Sequence, residues 1–185
     1  MPAFLFELLV AACCVVVSAT TTGQVTNIVK TGSAASHKNF QRILRGDAMS
    51  PPGPYGGSYF LTALSGCIVL ESGSRRMLSC RLSEERSAFN VLPEDEFTKR
   101  FAGFETAIAR ALPAYRRAAQ RCERRNSLRA RTAYSRGAND PSVALDGLAL
   151  EGGYSIDLWV MPAHVTRVQF VLAGAPTIPS MNLEC

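Results

Sequence analysis

The stretch Gly66–Leu82 constrains the fold more than any other. Cys67-Ile68-Val69-Leu70 is an apolar run, and Leu78, Cys80 and Leu82 alternate with polar neighbours. Gly73-Ser74 between them suits a two-residue hairpin turn of II′ type, where glycine supplies the φ > 0 position. A turn centred there sets Cys67 opposite Cys80, within reach of a cross-strand disulfide.

Disulfides require an oxidising compartment, and the N-terminus is consistent with one. Ala3–Ala19 is apolar apart from Glu7, and Val17-Ser18-Ala19 fits a signal-peptidase site, so residues 1–19 are expected to be a signal peptide. Its n-region lacks Lys and Arg. Retention as a membrane anchor and lipidation at Cys13 are the other two readings, and only these bring a membrane into play. Cleavage leaves Cys67, Cys80, Cys122 and Cys185, an even set with three possible pairings. Proximity favours Cys67–Cys80, which leaves Cys122–Cys185. The second bond would close a loop of about 60 residues, worth ~4 kcal/mol in the chain-entropy model. Free buried thiols are the alternative. No Cys-x-x-Cys spacing occurs and the two histidines, His37 and His164, stand apart, so no metal site is expected.

Residues 20–58 are rich in Ser, Thr, Gly and Pro and read as a polar lead-in, with a weak helical signal at His37–Arg45. Tyr59–Leu64 could start a strand or form a helical turn. After the hairpin, Pro93-Glu94-Asp95-Glu96 is a helix start, with acids at the positive end of the dipole. Phe97, Phe101, Phe104, Ile108 and Leu112 then form one apolar stripe, predicting a helix over 94–112 that packs on the hairpin sheet. Pro113 ends or kinks it. Ala114–Arg136 is strongly basic, carrying Arg116, Arg117, Arg121, Arg124, Arg125, Arg129, Arg131 and Arg136 against Glu123 alone, in a chain of net charge +5. Its first part is expected to continue as helix to about Arg125, with loop over 127–140 and a turn at Leu145–Leu148. Tyr154, Ile156, Leu158 and Val160 alternate as a strand does, and residues 165–172 give a last strand. No internal repeat is visible.

The fold class is therefore α+β. A small antiparallel sheet comprises the hairpin 66–82 and strands near 153–161 and 165–172, with helix 94–112 on one face. The domain spans 59–175, with an Arg-rich insertion at 114–141 and a tail at 176–185.

Three pieces give the chain a resemblance to the C-terminal domain of the TonB energy-transducer family. They are the hairpin ending in Met77-Leu78-Ser79-Cys80-Arg81-Leu82, the helix-to-basic run Phe104–Arg116, and the Asp146-Gly147 step leading towards Leu158. The Pro- and Lys-rich spacer of an energy transducer is absent. The resemblance implies a non-enzymatic interaction domain of the bacterial cell envelope, periplasmic or secreted. Its protein partner would pair an extended segment with a free sheet edge at Tyr154, Ile156, Leu158 and Val160.

No catalytic constellation stands beside this reading. Neither histidine has a nucleophile or acid partner in view, the serines lack a Gly-x-Ser-x-Gly setting, and no Gly-rich phosphate loop occurs. No cofactor is expected. The basic run supplies the second reading: a small secreted inhibitor or immunity-like protein whose Arg116, Arg117, Arg121, Arg124 and Arg125 hold an anionic surface or an acidic partner. Aromatic residues are too sparse among these arginines for single-stranded nucleic acid.

Overall fold

The computed structural model describes residues 21–48, 57–72, 75–86, 93–124 and 127–163. Helix α1 occupies residues 21–36, inside the stretch whose composition reads as a lead-in. Val25, Ile28, Val29, Gly32 and Ala35 fall on one helical face, and all are buried. Small and polar residues between them dilute this period, which is why composition alone conceals it. A 3₁₀ turn at Gln41–Ile43 then leads into strands β1 (Leu44–Arg45), β2 (Gly57–Thr62), β3 (Cys67–Ser72) and β4 (Arg75–Arg86). Helix α2 (Glu94–Ala111) follows, then β5 (Arg116–Arg124), β6 (Leu128–Ser135), β7 (Ser142–Leu150) and β8 (Gly153–Met161).

The hairpin has the expected register. Ser72 pairs with Arg75 and Cys67 with Cys80, and the two cysteines form a disulfide. Cys122 is also disulfide-bonded. Its expected partner Cys185 lies outside the described residues, as do Arg125, His164 and the strand expected at 165–172.

The sheet is large rather than small. Its eight described strands run in the order β1-β2-β3-β4-β8-β7-β6-β5. A helix followed by a four-strand meander occurs twice, although the sequence shows no repeat. The two meanders meet at β4 and β8, which pair antiparallel from Leu78↔Val160 to Arg86↔Gly153 with a bulge near Leu82.

The basic segment is sheet, not helix and loop. Arg124 pairs with Leu128 at the closed end of a β5–β6 hairpin. Along β6, Leu128, Ala130, Thr132 and Tyr134 are buried and alternate with half-buried Arg129, Arg131, Ala133 and Ser135. This is a period of two, masked by the arginines. Asp146-Gly147, expected in a turn, lies mid-strand in β7. Gly147 is required there by packing: a Cβ would sit 2.7–2.8 Å from the rings of Phe97 and Phe101.

Residues paired across antiparallel strands share a face of the sheet. Leu78, Val160, Val143 and Tyr134 form one such row, Cys80, Leu158, Leu145 and Thr132 the next, and Ile156, Gly147 and Ala130 a third. Both helices touch this face. At Gly32, α1 approaches Leu78 and Val160, where a Cβ would lie 2.9 and 3.1 Å from their methyl groups. At Phe97 and Phe101, α2 rests on Gly147, and its neighbouring strands are β7 and β6 rather than the β3–β4 hairpin. The hairpin instead receives α1, because β4 lies beside β8 at the centre of the sheet.

Candidate functional site

The two sets of residues expected to bind partners have opposite fates. Tyr154, Ile156, Leu158 and Val160 are 4 % exposed or less. Their strand β8 is hydrogen-bonded to β4 on one side and β7 on the other. They are core, with no edge to offer a partner strand. The alternation that marked them as a strand is shared by a central strand of this kind and by an edge strand, so periodicity alone does not distinguish the two.

The arginines fare differently. Arg116, Arg117, Arg121 and Arg124 all lie on β5, the outermost strand on its side among the described residues, and all four are exposed. Two bridges tie this strand to α2. At one end Arg124 Nη2 donates to Glu94 Oε2 at 2.7 Å. Towards the other, Arg117 Nη2 and Gln120 Nε2 each reach Glu105 Oε1 at 3.5 Å, and Arg117 Nη1 donates to Gln120 Oε1 at 2.8 Å. Arg121 pairs with Glu123 at 2.7 Å. These are solvent-facing pairs of the kind worth at most about 1 kcal/mol each.

Glu105 is the polar focus of this region, and neither charge runs nor motifs mark it in the sequence. It follows Phe97 and Phe101 at steps of four, on the face of α2 turned towards the sheet. It accepts a 2.6 Å hydrogen bond from Thr132 Oγ1, whose residue is fully buried. The Tyr134 hydroxyl is close by and buried, without a hydrogen-bond partner. Burial, reinforced by the negative charge of Glu105 and only partly countered by Arg117, pushes the Tyr134 phenol up to about 12.

A cavity of about 450 Å³ lies between α2 and the β5–β6 hairpin. Phe97, Phe101, Leu128 and Ala130 give it an apolar part, while Glu105, Thr132, Gln120 and Arg117 give it a polar one.

The opposite face of the sheet carries a second charged group. Arg131, Asp146, Asp157 and Arg81 stand in register across β6, β7, β8 and β4. Asp146 accepts from Arg129 and Arg131, with shortest contacts of 3.1 and 3.2 Å, and Asp157 from Arg81 at 2.5 Å. Burial pushes the Asp157 carboxyl up, against the opposing pull of Arg81. Asp146 thus has two guanidinium partners and Asp157 one, an arrangement that stabilises a sheet. Among the described residues no group of three or more His, Cys, Asp and Glu is placed to hold a metal ion. His37 is exposed just beyond the end of α1.

Protein-family models, curated proteins and solved structures yield no match to this chain. The site therefore has to be read from its own chemistry. Among the described residues, no helix is long and apolar enough to cross a membrane.

Proposed function

We propose that this chain is an exported, disulfide-braced, non-enzymatic binding protein that takes an acidic protein partner along β5. One observation carries the reading: four exposed guanidiniums, those of Arg116, Arg117, Arg121 and Arg124, project from a single strand of nine residues that is outermost among the described residues. An outermost strand can extend a sheet by pairing with an extended segment, and its arginines select for acidic side chains on that segment. The ion pairs they now make are weak enough for a partner's carboxylates to replace. The interaction mode inferred from the TonB-like pieces is retained and moved from β8 to β5. The Cys67–Cys80 disulfide supports a site of action outside the cytoplasm.

The test begins by crosslinking the purified, oxidised protein in a native extract of its source and identifying what it captures. Binding of that partner is then measured at 50 and 300 mM salt for the native chain and for a variant with all four arginines changed to Gln. The expected result is a large loss of affinity in the variant and, with it, loss of salt dependence. A partner held equally by both proteins at both salt concentrations would overturn the reading.

A further inference from the structure

The four arginines of β5 do not all face the same way. Alternate residues of a strand point to opposite faces of its sheet, and the pairing with β6 fixes which is which. Arg117 and Arg124 stand opposite Tyr134 and Leu128, on the face that carries the helices. Arg116 and Arg121 stand opposite Ser135 and Arg131, on the face turned away from both helices. Ser135 and Arg131 are four residues apart on β6, and the bulge between Arg117 and Ala119 absorbs the extra residue of β5. Arg116 and Arg121 therefore stand ~13 Å apart along the strand.

The two pairs also differ in what already holds them. On the helix face each arginine meets an acid of α2. Arg124 donates to Glu94 at 2.7 Å, and Arg117 reaches Glu105 at 3.5 Å. On the other face α2 supplies no acid. Arg121 has Glu123, two residues along its own strand, and Arg116 makes no ion pair among the described residues. The positive charge that β5 leaves to a partner is thus concentrated on one face, at two points.

We infer that the acidic segment taken by β5 carries its acids on one side only, at positions i and i+4, with uncharged residues at the odd steps between. The inference rests on the partner reading and sharpens it from an acidic partner to a spacing. A strand added outside β5 continues the rows of the sheet. Its residues beside Arg116 and Arg121 are then separated as Ser135 and Arg131 are, by four. An acid at an odd step would point to the helix face. There it would meet Arg117 or Arg124 with the counter-charges of Glu105 and Glu94 in place, and like charges at such range oppose one another. Beyond Arg121 the outward face carries Glu123, opposite Arg129, so the next position on that side is not acidic either.

The test uses the full, oxidised chain labelled with ¹⁵N and two blocked nine-residue peptides of identical composition, two Glu among Thr and Ser. One has Glu at positions 3 and 7, the other at 3 and 6. Each is titrated to several millimolar at 50 mM salt, with the amide shifts of Arg116–Arg124 as the readout. The first peptide should bind about fivefold more tightly, the worth of one exposed ion pair. Arg116→Gln with Arg121→Gln should make the two peptides equal, whereas Arg117→Gln with Arg124→Gln should leave their ratio unchanged. The comparison on the native chain needs no variant, so a loss of stability in either variant leaves the test standing. Equal binding of both peptides to the native chain, with shifts on β5, would overturn the spacing and leave the partner reading intact. A ratio that survives loss of Arg116 and Arg121 would overturn the assignment of faces. Shifts on β5 from neither peptide would overturn the partner reading and the spacing with it.

Discussion

Asp146 and Asp157 stand directly opposite one another across the β7–β8 pair. Like charges in that position repel, and the sheet accommodates them by flanking each with arginine. The two acids are not equivalent. Asp146 is shared by Arg129 and Arg131, both half-buried, whereas Arg81 has Glu84 at 2.8 Å as well as Asp157. Asp146→Asn should therefore remove the carboxylate that Arg129 and Arg131 share and cost about 1–3 kcal/mol. Asp157→Asn relieves the repulsion and leaves Arg81 its second partner, so its cost at neutral pH should stay within about 1 kcal/mol. Urea unfolding of the two variants compares them; equal losses would show that the row does not behave as two unequal halves.

The same acid has a pH signature. Because the folded protein holds the Asp157 proton more tightly than the unfolded chain does, protonation favours the fold. Stability from this group is gained as pH falls through the raised folded value and is complete below the ordinary value of 3.8. Glu96 and Asp140, held below their ordinary values by Arg100 and Arg136, act in the opposite sense. Their contribution is present above the ordinary value and lost as pH falls through the lowered one. The stability of the native protein relative to Asp157→Asn should thus improve as pH falls through the raised value towards 3.8 and level off below it. A pH-independent difference would contradict this assignment.

Gly147 is the point where α2 meets the sheet. An alanine there must displace the rings of Phe97 and Phe101, both of which are buried. Overpacking of this kind costs about 1–3 kcal/mol. Gly147→Ala should lower the urea midpoint accordingly, and Gly147→Ala combined with Phe101→Leu should recover part of the loss. Failure of the second change to compensate would mean that the glycine serves something other than ring contact.

The Cys67–Cys80 bridge joins residues 13 apart in sequence. A loop of that length is worth about 3 kcal/mol in the chain-entropy model. Cys67→Ala with Cys80→Ala should destabilise the protein by a similar amount while keeping the sheet, since Val69↔Leu78 and the β4–β8 pairing remain. Far-UV circular dichroism and denaturant unfolding report the two quantities separately. Loss of the sheet signal at low denaturant would show that the bridge is needed for the fold itself.

Tyr134 reports on the polar group around Glu105. With Glu105→Gln, one of the two influences that raise its phenol disappears while burial remains. Its ionisation should move down from about 12, and stay above the ordinary value of 10.0. Phenolate absorbance, taken as the difference between Glu105→Gln proteins with Tyr134 intact and with Tyr134→Phe, isolates this residue. An unchanged titration would place Glu105 further from the hydroxyl than the structure does.

Local signals were legible in the chain where one feature decided the matter. The Gly73-Ser74 turn and alternating arms give the register that pairs Cys67 with Cys80, and the stripe from Phe97 to Ile108 gives α2 within a residue or two of its ends. Misreadings arose where composition outweighed period. The arginines of β5 and β6 suggested a solvated helix and loop, although Leu128, Ala130, Thr132 and Tyr134 already alternate. Small residues hid α1, and Asp146-Gly147 imitated a turn because glycine's role there is to admit two rings from another element. Which strand lies at the centre was not legible at all. That follows from β4 meeting β8, a contact between distant parts of the chain, and it moved the candidate surface from Tyr154–Val160 to β5.

The seam between the two meanders also bears on how the molecule comes together. Every other strand pairing joins consecutive strands. Each half can therefore assemble by short-range hairpin closure, and only the union of β4 with β8 demands a long search, which makes it the natural slow step. The chain passes from the first half to the second between Arg86 and Pro93, so a cut there leaves every described strand whole. Two such fragments, one ending in β4 and one beginning with α2, carry the two matching sides of the central pair, so the protein is in effect a heterodimer whose subunits happen to share one chain.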